Sequence, residues 1–190
     1  MERTSTGVPN EKMLMWAFIG SECMLFASLI ATYLAYRGRS LVGPYPEDLL
    51  NIPFITVTTF VLLMSSLTMV LALSAVQRGD ARGSRVFLLL TAVLGIIFVG
   101  GQAIEFSHFA GEGLGLSRNL FSSTFFLTTG FHGAHVTAGV IWLLSLWVLT
   151  MRGRLGPEKS VKVEVAGLYW HFVDVVWIVL FTVIYLMSGS

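Results

Sequence analysis

Three carboxylic acids lie where hydrocarbon is expected. Glu22, Glu105 and Asp174 each fall inside a long apolar segment, and so do all four histidines, His108, His132, His135 and His171. None of the twelve lysines and arginines does. Ionisable side chains at bilayer depth are expensive, and they normally face a bundle interior or a partner. With no internal cation, each acid has three solutions: hold a proton, pair with a histidine, or face another subunit or a lipid head group. His132 and His135 are three residues apart and share one helix face, as do His171 and Asp174. A His-x-x-His pair could hold a metal or a haem. Transition-metal sites usually add sulfur or further nitrogen ligands, and His171 is the one clear candidate. Hydrogen bonds to hydroxyls and carboxylates across a bundle explain the two imidazoles without a metal, and this is the favoured reading.

The elements that must position these groups follow from composition. The chain has 190 residues, 55% hydrophobic and 12% charged, where a soluble domain carries about 25% charged. That deficit leaves too little polar surface for a water-soluble globule. The formal net charge is +1 with no basic run, which gives no case for nucleic acid. The single cysteine, Cys23, lies in an apolar segment and excludes a disulfide framework. Five apolar segments run over 13–36, 52–76, 86–109, 120–151 and 165–188. Each exceeds the roughly 20 residues needed to cross the hydrocarbon core. A lipid-exposed span must satisfy its own backbone, so each is expected to be helical. The first follows a polar stretch and is too long for the core of a secretory signal, so it reads as a retained span.

The predicted fold is therefore all-α: a polytopic membrane protein, residues 1–190 forming one transmembrane domain of five helices. Its connections are short and polar. Residues 37–51 carry Gly43, Pro44 and Pro46, residues 110–119 carry three glycines, and 77–85 and 152–164 are compact and basic. The N-terminus and the second and fourth connections hold nine of the twelve basic residues; Arg37, Arg39 and Arg118 fall on the other side. The positive-inside rule then places the N-terminus in the cytoplasm and the C-terminus outside.

Several other residues are expected to serve packing. Gly130, Gly133, Ala134, Thr137 and Ala138 form a small-residue stripe that lets helices approach closely. Ser65, Ser66 and Thr68 read as interhelical hydrogen-bonding groups. Trp16, Tyr33, Tyr36, Tyr169 and Trp170 read as interfacial anchors, and Trp177 as a deeper packing residue. Phosphate loops, dinucleotide fingerprints and nucleophile elbows are absent from the sequence.

Two segments carry a specific resemblance. Tyr169–Trp177 reads Y-W-H-F-V-D-V-V-W, and Ser123–Val136 reads S-T-F-F-L-T-T-G-F-H-G-A-H-V. Together they resemble the last two helices of subunit III of haem–copper respiratory oxidases. The run S-E-C-M-L-F at Ser21–Phe26 resembles that family's Ser-Glu-x-x-x-Phe helix. The ending S-S-L-T of 52–68 and the pair Glu105-Phe106 agree in order, so the resemblance covers nearly the whole chain. The family has seven-helix and five-helix forms, and this chain looks like the five-helix one, with the C-terminus outside.

The resemblance implies a non-catalytic subunit of a proton-pumping cytochrome c oxidase in the aerobic respiratory chain. The haems and copper would belong to subunits I and II, so no metal or cofactor is expected in this chain. Its partners would be subunit I chiefly, subunit II, small subunits and membrane phospholipids. It would support proton uptake and the stability of subunit I in a bacterial plasma membrane. Glu22 falls on the family's carbodiimide-reactive carboxylate. Glu105, His108, His132, His135, His171 and Asp174 would form a buried polar network, with His171 and Asp174 as a local pair. Trp170 and Trp177 are assigned to subunit or lipid contact. Alternative readings are subunit III of a quinol oxidase, an independent proton-coupled transporter, or a haem-binding protein using His132, His135 or His171. Five helices without inverted halves argue against the transporter.

Overall fold

A computed structural model of the chain describes residues 7–37, 51–111 and 120–187. Of the expected loops at 37–51 and 110–119, residues 38–50 and 112–119, with Arg39 and Arg118, lie outside the described residues, as does Arg3, and residues 110–111 continue a helix. Among the described residues five long apolar helices run in order: α1 Asn10–Tyr36, α2 Ile52–Gln77, α3 Ala81–Gly111, α4 Leu120–Met151 and α5 Ser160–Leu180. A 3-10 turn, Pro157–Lys159, leads into α5, and a π-helical turn, Phe181–Leu186, continues it.

Three helices start earlier than hydropathy suggests, α1 by three residues and α3 and α5 by five. α3 begins at Ala81 rather than Val86 because Asp80 caps it: Oδ1 accepts from the backbone N–H of Arg82 at 3.1 Å and of Gly83 at 3.0 Å. The last helical segment begins eight residues before Val165, where Pro157 opens the 3-10 turn with the fixed φ that a helix start favours. Hydropathy registers the part of a helix that meets lipid, not its polar first turns.

The helices form one bundle with α5 at its centre, packed on α1, α2 and α4; α3 packs on α2 and α4, and α1 on α4 and α5. Hydrophobicity cannot drive helices together in lipid, so close packing and interhelical hydrogen bonds must. Both are visible around the tryptophans of α5. The indole of Trp170 enters a slot between α3 and α4 that exists because Gly95 and Gly139 lack side chains. A methyl at Gly95 would lie 2.6 Å from the ring, and one at Gly139 2.8 Å from it. Its Nε1–H donates to Ser65 Oγ on α2 at 2.9 Å. Two turns onward, Trp177 Nε1–H donates to Thr59 Oγ1 at 2.9 Å. Such bonds average about 0.6 kcal/mol in lipid, so ring packing contributes more than the bonds. Thr68 and Thr91 join α2 to α3 at 2.8 Å, and Gln102 Nε2 donates to Thr129 O on α4 at 2.9 Å. The small-residue stripe of α4 has the same purpose: the Gln102 amide occupies the space beside Gly133.

α1 is held differently. Its buried residues, Ile19, Phe26 and Tyr33, repeat every seven positions and make a single seam. The rest of the helix is largely exposed, including Met13, Leu14, Trp16, Phe18 and Met24. At its N-terminal end the Lys12 ammonium pairs with Glu164 of α5, and beyond its C-terminal end the Arg37 guanidinium donates to the carbonyl of Met187.

Candidate functional site

The seam of α1 carries Glu22 against α4. Its carboxyl lies 3.1 Å from His135 Nε2, and both side chains are mostly covered, 16% and 17% exposed. The other nitrogen, Nδ1, lies 2.7 Å from the carbonyl of Phe131, one turn back on α4. A carbonyl can only accept, so Nδ1 carries a proton. Two states of the Glu22–His135 bond remain. A neutral carboxyl donates to a bare Nε2, or a protonated Nε2 donates to a carboxylate. Both place one proton between the two groups. The pair is therefore a one-proton site that can shift charge over a single hydrogen bond. Phe26 covers it, its ring centroid 5.2 Å from that of His135 at 66°. Tyr169 of α5 donates to the His135 carbonyl at 2.9 Å and ties that turn of α4 to the centre of the bundle.

The remaining groups separate along the bundle. His132 shares a helix face with His135, but its ring points deeper. It is fully buried, stacked on Trp177 at 4.9 Å and 24°, with Phe98 edge-on at 5.9 Å. Neither ring nitrogen has a hydrogen-bond partner. His171 is half-buried and shares a 2.6 Å hydrogen bond with Ser66 of α2 through Nδ1. Asp174, 3% exposed, faces the interior with both carboxyl oxygens unbonded, and Ser66 is a polar neighbour. Glu105, 6% exposed, lies near the far end of α3. Its Oε2 accepts from the Tyr185 hydroxyl at 3.0 Å, and Oε1 has no partner. Among the described residues, no three His, Cys, Asp or Glu side chains stand close enough to share a metal ion.

Residues 5–189 match the family model of cytochrome c oxidase subunit III. The chain belongs to the cytochrome c oxidase subunit III family. It is similar to quinol oxidase subunit 3 of Bacillus subtilis, 40% identical over 91% of this chain and 85% of that one. It is also similar to cytochrome c oxidase subunit 3 of Alkalihalophilus pseudofirmus, 38% identical over 98% of this chain and 91% of that one. Cytochrome bo(3) ubiquinol oxidase subunit 3 of Pseudomonas aeruginosa is 38% identical over 92% and 83%. The chain is thus subunit III of a haem–copper oxidase, an integral multi-pass membrane protein that assembles with the other oxidase subunits.

Within this subunit III several expectations need correction. The polar residues do not form one network: Glu22 joins His135, Glu105 joins Tyr185, and His171 joins Ser66. His171 and Asp174 make no direct pair, because α2 intervenes with Ser66 and offers the imidazole a shorter reach across the helix interface. His108 lies exposed on α3, its ring edge-on to Phe109. Trp170 and Trp177, expected at a subunit or lipid contact, are 0% and 1% exposed and serve this chain's own core. Of the expected anchors, Trp16 and Tyr36 are exposed, whereas Tyr33 and Tyr169 are buried with Trp170. Two contributors carry no expectation from the sequence, Tyr185 and Gln102, and Tyr169, expected as an anchor, instead holds the His135 carbonyl. Tyr185 follows the fifth helix at a spacing, eleven residues after Asp174, that carries no chemical signature. Gln102 had one signal, an amide in an otherwise apolar span.

Proposed function

We propose that this subunit III serves a proton-pumping cytochrome c oxidase of a bacterial plasma membrane. It contains no redox centre of its own and supports proton uptake by subunit I, its main partner, together with subunit II, small subunits and structural phospholipids. The observation that carries this reading is the Glu22–His135 bond, a one-proton site in an apolar setting at 3.1 Å. Glu22 lies twelve residues past the start of α1, about 18 Å along the helix. With nine of twelve basic residues on the Asn10 side, positive-inside asymmetry sets that end in the cytoplasm, and the pair lies in the half from which protons would be taken up. The five spans form one transmembrane domain, and no contact with nucleic acid is needed.

Quinol oxidase is the second reading, because relatives at 40% and 38% identity carry the two descriptions. The donor is recognised by other subunits. Purification in mild detergent, followed by sequencing of the co-isolated subunit II, decides between them: ligands for a dinuclear copper centre are expected for the cytochrome c type. Their absence beside an intact subunit I would favour quinol. A colourless chain that purifies alone and transports a solute would overturn both.

A further inference from the structure

We propose that the cavity at the Asn10 end of the bundle is the aqueous mouth of a proton path to the Glu22–His135 pair, and that the ring of Tyr169 closes it. This rests on the reading of that pair as a proton-holding site in the cytoplasmic half, and it deepens that reading by naming the route of entry. The cavity lies between α1, α4 and α5 and has a volume of about 290 Å³. Glu11, Ser145 and Lys162 form its exposed lining and Leu146 and Val165 its buried lining, with Trp142 half-buried. Water persists in a cavity that is roomy and polar, and leaves one that is purely apolar. This one has room for several molecules at about 30 Å³ each, and a carboxyl, a hydroxyl and an amino group to bind them.

The cavity and the pair share elements at two levels of the bundle. On α1, Glu11 lines the cavity and Glu22 belongs to the pair, with Phe18 one turn before Glu22. On α4, Trp142 lies seven residues past His135, about 10 Å along the helix. On α5, Tyr169 lies one turn past Val165. One ring from each helix meets between the two levels. Tyr169 lies against Trp142 at 5.8 Å between centroids and against Phe18 at 6.2 Å. Gly139, between His135 and Trp142, gives the Tyr169 ring its place: a methyl there would lie 3.2 Å from it. The hydroxyl is tethered to the pair's own turn of α4, donating to the His135 carbonyl at 2.9 Å. The ring that separates cavity from pair is thus held by one hydrogen bond, and breaking that bond frees it to turn. Beyond the pair, Phe26 packs on His135 and on Phe172, which leaves the Asn10 end as the approach from water. Each exchange swaps one proton. Water in the mouth gives a proton to the pair and takes back the one that Glu22 and His135 Nε2 had shared, while the Nδ1–H stays on the Phe131 carbonyl.

The test labels Glu22 in the intact oxidase complex, in sealed vesicles, with a small membrane-impermeant quaternary-ammonium carbodiimide added from either face. Label on the Glu22 peptide is counted by mass spectrometry. Wild type should react slowly, and only in inside-out vesicles, whose outer face is the Asn10 end. Tyr169→Phe keeps the ring and removes its tether, so labelling from that face should quicken on the order of fivefold, one hydrogen bond's worth of barrier. Ser145→Trp fills the mouth from its exposed edge, and added to Tyr169→Phe it should return the rate to that of wild type. Dicyclohexylcarbodiimide, which arrives through lipid, should label all three proteins alike, so that a gain specific to the impermeant reagent reports the path and not a loosened bundle. No gain in Tyr169→Phe from the Asn10 face would mean a dry cavity and overturn the proposal. A gain that survives Ser145→Trp, or one seen from the opposite face alone, would overturn it too. Failure of dicyclohexylcarbodiimide to label wild type would instead remove Glu22 as the proton site, and the path with it. Co-isolation of the other subunits, scored in the same preparation, reports separately on the oxidase reading.

Discussion

At the scale of the residue, the chemistry reduces to where one proton can sit. His135 has its Nδ1–H committed to the Phe131 carbonyl, so the bond to Glu22 holds a single proton in either charge state. Carbodiimides react with the protonated carboxyl. Glu22→Gln keeps the shape and a hydrogen bond to Nε2, so the variant is expected to assemble normally and to lose labelling at this position. Mass spectrometry of the labelled peptide checks this, and label persisting on the variant subunit would remove Glu22 from the role. His135→Leu should be worse than Glu22→Gln, because it strands a mostly covered carboxyl, at a cost of about 1–3 kcal/mol. The loss should appear as a lower melting temperature in detergent. Adding Glu22→Leu to His135→Leu should restore most of it, since both partners are then apolar. Equal melting of single and double variants would show that the pair contributes nothing to stability. The types and the helix face of these residues were legible in the sequence. Their partners were not, because a spacing of three puts His132 and His135 on one face yet about 60° apart. That rotation sends one to α1 and the other into the aromatic core.

At the scale of the element, the fifth helix depends on missing side chains elsewhere. Trp170 is fully buried only because Gly95 on α3 and Gly139 on α4 leave room for its ring. Hydropathy located α5, and the position of Trp170 then suggested an interfacial anchor. The error has a physical source: the helical segment begins at Pro157, so Trp170 lies well inside the bundle rather than near its edge. No local pattern reveals a slot built by two glycines 44 residues apart on different helices. The dependence can be tested by overfilling the slot. Gly139→Leu is expected to cost about 1–3 kcal/mol, measured as loss of folded protein on heating in detergent. In a Trp170→Ala background the same substitution should cost much less, because the ring it displaces has gone. Additive costs would mean that Gly139 and Trp170 do not share the slot.

At the scale of the whole molecule, five helices set α5 at the centre and leave α1 at the edge, seamed only by Ile19, Phe26 and Tyr33. The count of spans was legible because each carries some 20 apolar residues. Packing order was not, since lipid-facing and core-facing positions are apolar alike, and the helices have almost no one-sided character to read. Orientation rests on charge alone, which makes it a direct target. In a Cys23→Ala background, Asn51→Cys sits at the start of α2 and is exposed, as are Arg78→Cys and Arg152→Cys, just past the ends of α2 and α4. With the N-terminus inside, an impermeant maleimide added to intact cells should label the cysteine at 51 and leave those at 78 and 152 unlabelled until the membrane is opened. The reverse pattern would invert the bundle and place the Glu22–His135 pair in the outer half, where it could not assist uptake from the cytoplasm. Labelling at all three positions before lysis would show that the chain has no fixed orientation.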